Sequence, residues 1–408
     1  MSKKREFVPK SRVSKLVNYY AIYDRIVKAI PTRDKTKMNQ EELALQEAKD
    51  KKLFEKLDDA RKEELFKPFA NGKGMMVFDL DGTFLDDNKG IPSINIDMVI
   101  ILKEKYGIIP VIATARPLKV AQYIASQSGK SFDGYILSHN GAVIYELKNK
   151  KIVKNSSFTN KQAQKIMNLA RKLGLESEFM TLAQEWADIS FSNRRKEDQM
   201  YVNMSEKYIK NGKKKWHKFK ELPNEELKKR KISTPVPKFN FLTPNEMRHY
   251  SRKKKLNIIS ISGTEEQLIS FKEQLEKLNL KIQISELCDR EDASGEIKDL
   301  KYIDIMVQGV TKWVAIECLQ EILGITSEQT ITFGDGGNDK EMIENAGIGV
   351  AMQNSSNKRL IESADIVTKA PNQFECDGKI YGGVGVLLYE IMKVLDGIRE
   401  REHREVAR

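Results

Sequence analysis

The chain has 408 residues, 40% of them apolar, enough at ~100–200 residues per domain for two or three domains with sizeable cores. Lys and Arg number 70 against 58 acidic residues, a formal charge of +12, and there are only four His and three Cys. Without an apolar run near the ~20 residues of a spanning helix, a secretory leader, a zinc-like His spacing or paired cysteines (Cys288, Cys318 and Cys376 are scattered), these figures exclude a membrane transporter, a disulfide scaffold and a His/Cys zinc enzyme, and predict a cytoplasmic protein with no membrane partner.

In chain order, residues 1–73 read as a helical extension. Val13, Leu16, Val17, Tyr20, Tyr23, Val27 and Ile30 recur at helical spacing until Pro31. A second helix is predicted from Gln40 to Phe66, closing near Pro68 and the Asn71-Gly72 turn signal. This extension is expected to pack on the rest of the chain or on a partner.

From Gly74 the pattern changes to short apolar runs. Met75–Phe78, Ile108–Ala113 and Thr330–Phe333 each end on polar residues, and helical patterns such as Ile96–Lys105 and Lys312–Leu323 separate them. Such alternation predicts an α/β fold with a doubly wound parallel sheet, in which ligands bind at the carboxyl ends of the strands. Between 157 and 306 helical patterns at Asn160–Leu173 and Glu265–Leu278 mix with strand-like Asn257–Ile261 and Lys281–Ile284. That segment reads as an inserted α+β domain, and the core is expected over 74–156 and 307–395, followed by a charged tail at 396–408.

The positive charge is concentrated. Residues 205–255 hold 17 basic against 5 acidic residues, and residues 1–74 hold 19 against 12, so the remainder is net acidic by 7. Within 205–255 there are 14 Lys and 3 Arg, with Trp216, His217, Phe219 and Tyr250 interleaved. A solvated face and a nucleic-acid-binding surface are the alternatives; the Lys excess favours diffuse charge over bidentate readout.

Asp79-Leu80-Asp81-Gly82-Thr83 sets two carboxylates two residues apart just beyond a strand. A carboxylate can attack phosphorus to give an aspartyl-phosphate, provided Mg²⁺ and a Lys offset the anionic repulsion. A second carboxyl can protonate the leaving alkoxide and then activate water. Taken alone, the same pattern is also that of a capped turn.

Four segments together carry a resemblance. Asp79-Leu-Asp-Gly-Thr-Phe-Leu, Ala113-Thr-Ala-Arg116, Gly309-Val-Thr-Lys312 and Gly334-Asp-Gly-Gly-Asn-Asp339 resemble, in order, the four signatures of the haloacid-dehalogenase-like phosphohydrolases. Asn140-Gly141-Ala142 and residues 332–354 are similar to the Cof-type branch, and the likeness covers about 74–156 and 257–395. It implies a Rossmann-like core with a type-2 cap at 157–306, and a Mg²⁺-dependent phosphatase acting on a small phosphorylated metabolite, a sugar phosphate or a phosphorylated cofactor. Asp79 would be the nucleophile and Asp81 the acid and base. The metal would be held by Asp79, the Asp81 carbonyl and Asp335. Thr114, Ala115, Lys312 and Asn338 would meet the phosphoryl group, with Arg116 and Asn140 as further substrate contacts and Asp339 orienting Lys312 or the metal shell. Ala115 stands where the family commonly has Gly. His139 and Cys318 read as structural and Cys376 as a thiol beside a turn, while Thr83 is open between a satisfied turn and a role in the site. A phosphomutase, and an RNA- or ribosome-associated protein using the basic segments, are the alternative functions.

Overall fold

The computed structural model describes residues 22–70, 72–128, 132–181, 185–189, 238–241, 255–285, 287–289 and 301–406; for 176–181, 185–189, 238–241 and 288–289 it describes backbone only. Almost all of the basic stretch 205–255, and the predicted helix before residue 22, lie outside these residues. The described residues fall into two compact units. One is drawn from Met1–Ile109, Glu328–Gly336 and Ala346–Arg408, the other from Pro110–Ser327 and Gly337–Asn345.

The strands, in chain order, are β1 Gly74–Phe78, β2 Ile108–Ala113, β3 Tyr135–Ser138, β4 Val143–Glu146, β5 Lys151–Asn155, β6 Glu176–Thr181, β7 Glu185–Ile189, β8 Lys238–Phe241, β9 Leu256–Gly263, β10 Ile282–Ile284, β11 Cys288–Asp289, β12 Lys301–Val307, β13 Thr330–Gly334, β14 Ile348–Ala351, β15 Ile366–Val367, β16 Phe374–Cys376 and β17 Lys379–Tyr381. The architecture is α/β, with parallel strands dominating the core as the apolar runs predict.

In the first unit β15, β14, β13 and β1 lie side by side, all parallel. Every residue of β1 and β13 is buried; β1 accordingly reads as a continuous apolar run, while β13 alternates the buried hydroxyls of Thr330 and Thr332 with Ile331 and Phe333. The helices Ser93–Tyr106 and Gly383–Val406 pack together, and Asn95 joins them to the core: its amide donates to Phe84 O and its carbonyl accepts from Gly385 N. The helix Gly383–Val406 carries on through the charged residues beyond 396 and still buries Ile398.

The extension is built into this unit. From Gln40 to Ala70 it forms two helices, Gln40–Lys51 and Asp59–Ala70, where the periodicity predicts one. The break has a tertiary cause: Leu53 is extended and bridges Val367 in parallel, while Val367 N donates to Lys52 O at 2.8 Å, so the chain here covers the exposed edge of β15. Pro68 lies inside the second helix instead of ending it. Phe54, Phe66 and Phe69 are buried, and Lys49 Nζ donates to Gln353 O at 2.8 Å.

In the second unit β2 and β3 run parallel, and β3, β4 and β5 continue antiparallel. A further sheet has the order β10-β12-β9-β6-β7-β8, with β11 on β12. The helices Asn160–Lys172 and Glu265–Glu276 bury Ile166, Ala170, Leu268 and Phe271 against Ile259 and Ile261 of β9 and Ile303 and Ile305 of β12. Each helix starts with a capping box, Thr159 with Gln162 and Thr264 with Gln267. Among the described residues no helix is long and apolar enough to cross a membrane.

Candidate active site

In the first unit the pairing of two parallel strands sets the geometry. Phe78 of β1 is opposite Phe333 of β13, and Asp79 N donates to Phe333 O at 3.0 Å. The residues that follow each strand therefore leave the sheet side by side, and Asp79 and Asp335 offer carboxylate oxygens within 4.8 Å of one another. Gly82 turns the chain at φ +76°, a conformation that strains any residue with a Cβ. A Cβ there would also lie 2.3 Å from Asp335 Oδ2. The Asp81-Gly82 backbone can thus pass against the Asp335 carboxylate only because position 82 lacks a side chain.

Thr83 of the first motif and side chains from three other segments hold this turn. Thr83 Oγ1 donates to Asp335 Oδ1 at 2.8 Å, so Thr83 does more than complete a turn. Ser355 Oγ donates to Asp335 O at 2.7 Å, and Asn354 Nδ2 donates to Gly82 O at 2.8 Å. Asn354 Oδ1 in turn accepts from Asn372 N. Lys89 Nζ pairs with Asp81 Oδ1 at 2.8 Å. None of Asn354, Ser355, Asn372 and Lys89 is singled out by sequence. Each lies in a loop far from the strand ends in sequence or has no periodic signal, and only the Asn88-Lys89-Gly90 turn composition marks the last.

In the second unit Thr114 follows β2 as Asp79 follows β1. Its N–H continues the ladder to Leu137 O at 2.9 Å, and its carbonyl accepts from Asn140 N at 3.0 Å. Thr114 Oγ1 accepts from Arg116 N at 3.1 Å, which leaves its own O–H to donate elsewhere. Ala115, between them, is half-buried. Arg116 O accepts from His139 N at 3.2 Å. His139, Asn140 and Gly141 all have positive φ, so this turn is held in a left-handed backbone at three successive positions. A Cβ at Gly141 would meet Thr311 O at 2.2 Å, which brings the turn against the start of the helix Lys312–Leu323. His139 is wholly buried, with Nδ1 3.1 Å from Ser138 Oγ.

Thr311 caps that helix, its Oγ1 accepting from Val314 N at 3.1 Å. Lys312 is therefore in the first turn, where the helix dipole disfavours a cation. Asp339 compensates: Lys312 Nζ lies 2.6 Å from Asp339 Oδ1, with side-chain exposures of 1% and 0%. A buried lysine at a helix N-terminus needs such a partner. Asn338 Nδ2 donates to Asn140 Oδ1 at 3.2 Å. The second unit thus brings Lys312 to Asp339 and Asn338 to Asn140, and the first brings Asp79 to Asp335. The free thiols Cys318 and Cys376 are both half-buried and belong to neither set.

The profile of the family described as haloacid dehalogenase-like hydrolase matches residues 76–375. YxeH of Bacillus subtilis, provisionally named a phosphatase, is 24% identical over 301 residues, which is 73% of this chain and 94% of that protein. The match to the Escherichia coli 5-amino-6-(5-phospho-D-ribitylamino)uracil phosphatase YbjI is local: 43% identity over 53 residues, 13% of this chain and 20% of that protein. The solved structure of the subclass IIB sugar phosphatase BT4131 superposes with a TM-score of 0.50 at 20% identity, covering 72% of this chain and 93% of that one, a likeness of fold.

Proposed function

The chain belongs to the haloacid dehalogenase-like hydrolases, and on that premise we propose that it is a Mg²⁺-dependent phosphatase that hydrolyses a small phosphorylated metabolite, a sugar phosphate or a phosphorylated cofactor, through an aspartyl-phosphate. The observation that carries this reading is the emergence of Asp79 and Asp335 side by side from two paired parallel strands. The named activities of YxeH, YbjI and BT4131 support the phosphatase class. In this reading 74–156 and 307–395 form the catalytic core and 157–306 the cap.

In this reading the Asp79 and Asp81 side of the chemistry and the Thr114, Asn140 and Lys312 side act on one phosphoryl group. Chain connectivity supports that: Asp335 and Asp339 are four residues apart, at most ~14 Å of backbone. Asp79 and Asp335 offer carboxylate oxygens close enough to share a metal ion. The donor set fits a hard divalent cation, because it is all carboxylate and carbonyl oxygen and no soft ligand is present. Asp79, Asp335 and the Asp81 carbonyl would hold it, and when bound it supplies charge neutralisation at the phosphoryl oxygens. Asp339 is already committed to Lys312, so its role here is to orient that lysine.

The chain's own groups then divide the work. An Asp79 oxygen attacks phosphorus as the P–O bond to the leaving group breaks, and Asp81 gives that oxygen its proton. The Lys312 ammonium, Thr114 O–H and Asn338 amide offset the charge on the transferring group, Ala115 lines it, and Arg116 and Asn140 approach the substrate. Asp81, now a carboxylate, takes a proton from water as that water attacks the aspartyl-phosphate and frees Asp79. The RNA- or ribosome-binding alternative rests on 205–255, almost wholly outside the described residues, and no observation favours it or the mutase.

The test is phosphate release from sugar phosphates, nucleotides, pyridoxal phosphate and flavin mononucleotide, with and without Mg²⁺, beside the Asp79→Asn variant. Mg²⁺-dependent turnover lost in the variant supports the reading. Folded protein that releases phosphate from none of them, or equally well as Asp79→Asn, overturns it.

A further inference from the structure

Lys89 lies eight residues beyond Asp81, in a loop that the strand-end chemistry does not include. Its φ is +64°, in the left-handed region that non-glycine residues rarely occupy. The loop is closed on itself: Asp86 N donates to Gly90 O and Lys89 N to Asp86 O, both at 2.9 Å, and Gly90 N donates to Asp86 Oδ1 at 2.8 Å. It is also pinned from outside. Asp87 N donates to Gln373 Oε1 at 3.1 Å, and Asp87 Oδ1 accepts from Asn372 Nδ2 at 3.2 Å. The backbone from which the lysine projects is therefore fixed, in a conformation kept at a cost in stability. Its ammonium ends 2.8 Å from Asp81 Oδ1, and both side chains are a little over two-fifths exposed.

An exposed ion pair of this kind adds little to folding stability. A strained lysine held by a closed loop against one particular carboxylate therefore calls for another role. We propose that Lys89 is a positioning residue for Asp81, fixing its carboxyl group in one orientation toward the leaving-group oxygen. The inference rests on the phosphatase reading, in which Asp81 protonates that oxygen. Lys89 touches neither phosphorus nor the nucleophile; its ammonium takes Asp81 Oδ1, so the proton that Asp81 gives is carried on Oδ2, and the contact restricts the rotamers of the carboxyl group.

The leaving group separates this role from a structural one. kcat/KM stops at the first irreversible step, departure of the leaving group, so Asp81's later work on water does not enter it. 4-Nitrophenolate departs without a proton, whereas an alkoxide requires one. The experiment measures kcat/KM for 4-nitrophenyl phosphate and for the fastest of glucose 6-phosphate, ribose 5-phosphate and glycerol 3-phosphate. Lys89→Met is expected to lose about three- to fivefold on the alkyl phosphate, the scale of an exposed ion pair, and nothing on the aryl ester. Lys89→Arg restores the alkyl rate. Lys89→Gly relieves the left-handed backbone, so it raises the unfolding midpoint yet shows the same alkyl-selective loss. Equal losses on both esters, or no loss on the alkyl ester, overturn the proposal. Wild-type protein inactive on every ester refutes instead the reading beneath it, and does so before any variant is made.

Discussion

Replacing Lys312 by Met removes an ammonium and leaves the Asp339 carboxylate at 0% side-chain exposure without it. Breaking a buried ion pair from one side costs about 3–5 kcal/mol, because the remaining charge keeps its desolvation penalty and loses the attraction of the ammonium. Replacing both members with apolar residues is far less damaging, so Lys312→Met/Asp339→Leu should recover most of that loss. The assay is urea unfolding followed through the buried Trp313, the next residue in sequence. At a slope of about 2 kcal/mol per molar urea, the single variant's midpoint falls by about 2 M. The coupling energy between the two sites should exceed about 2 kcal/mol. A loss below about 1 kcal/mol in Lys312→Met, or additive losses in the double variant, would refute the claim that Asp339 is present to hold this lysine.

Gly82→Ala places a Cβ 2.3 Å from Asp335 Oδ2 at a positive φ; we expect Mg²⁺ affinity measured by titration calorimetry to fall at least about tenfold, and unchanged affinity would contradict the metal assignment. Burial pushes the Glu390 carboxyl up to about 7, with Lys369, Glu55, Lys393 and Lys62 as its charged neighbours. A raised folded-state value means stability present below the ordinary 4.5 and lost as pH rises through about 7. Glu390→Gln should therefore raise the urea midpoint at pH 8 and leave it unchanged near pH 4, and equal effects at both would refute the assignment. Deleting residues 1–70 removes the buried side chains of Tyr23, Ile26, Ile30, Phe54, Leu65, Phe66 and Phe69. At ~1.5–3 kcal/mol each the loss is about 10–21 kcal/mol, as large as the usual ~5–15 kcal/mol net stability of a domain, so the truncated chain should lack a cooperative unfolding transition.

The parts of the fold set by local pattern were legible in the sequence. β1 and β2 are apolar runs ending in Asp79 and Thr114, the signature that burial on both faces leaves, and β13 is a β-branched and aromatic run, Thr330–Phe333, ending in Gly334-Asp335. The helix Lys312–Leu323 has the bounds its periodicity predicts, with Thr311 as cap and Gly324 behind it. What depends on distant contacts was not legible. Helix propensity continues through Lys52–Leu57, and only the edge of β15 explains why Leu53 is extended there. Lys49, Asn354 and Ser355 act through hydrogen bonds to backbone that is remote in sequence. Lys89 carries no period and no motif; its meaning lies in a side chain that reaches Asp81 from a strained turn.

The central claim is a covalent aspartyl-phosphate on Asp79, and reductive trapping tests it most directly. Protein mixed with Mg²⁺ and its best substrate is quenched with borohydride, which converts an aspartyl-phosphate to homoserine, and the peptide holding residue 79 is read by mass spectrometry. The account predicts homoserine at position 79 only when substrate is present, and none in Asp79→Asn. Turnover that proceeds with Asp79 unmodified, or homoserine at Asp81 or Asp335 instead, would contradict it.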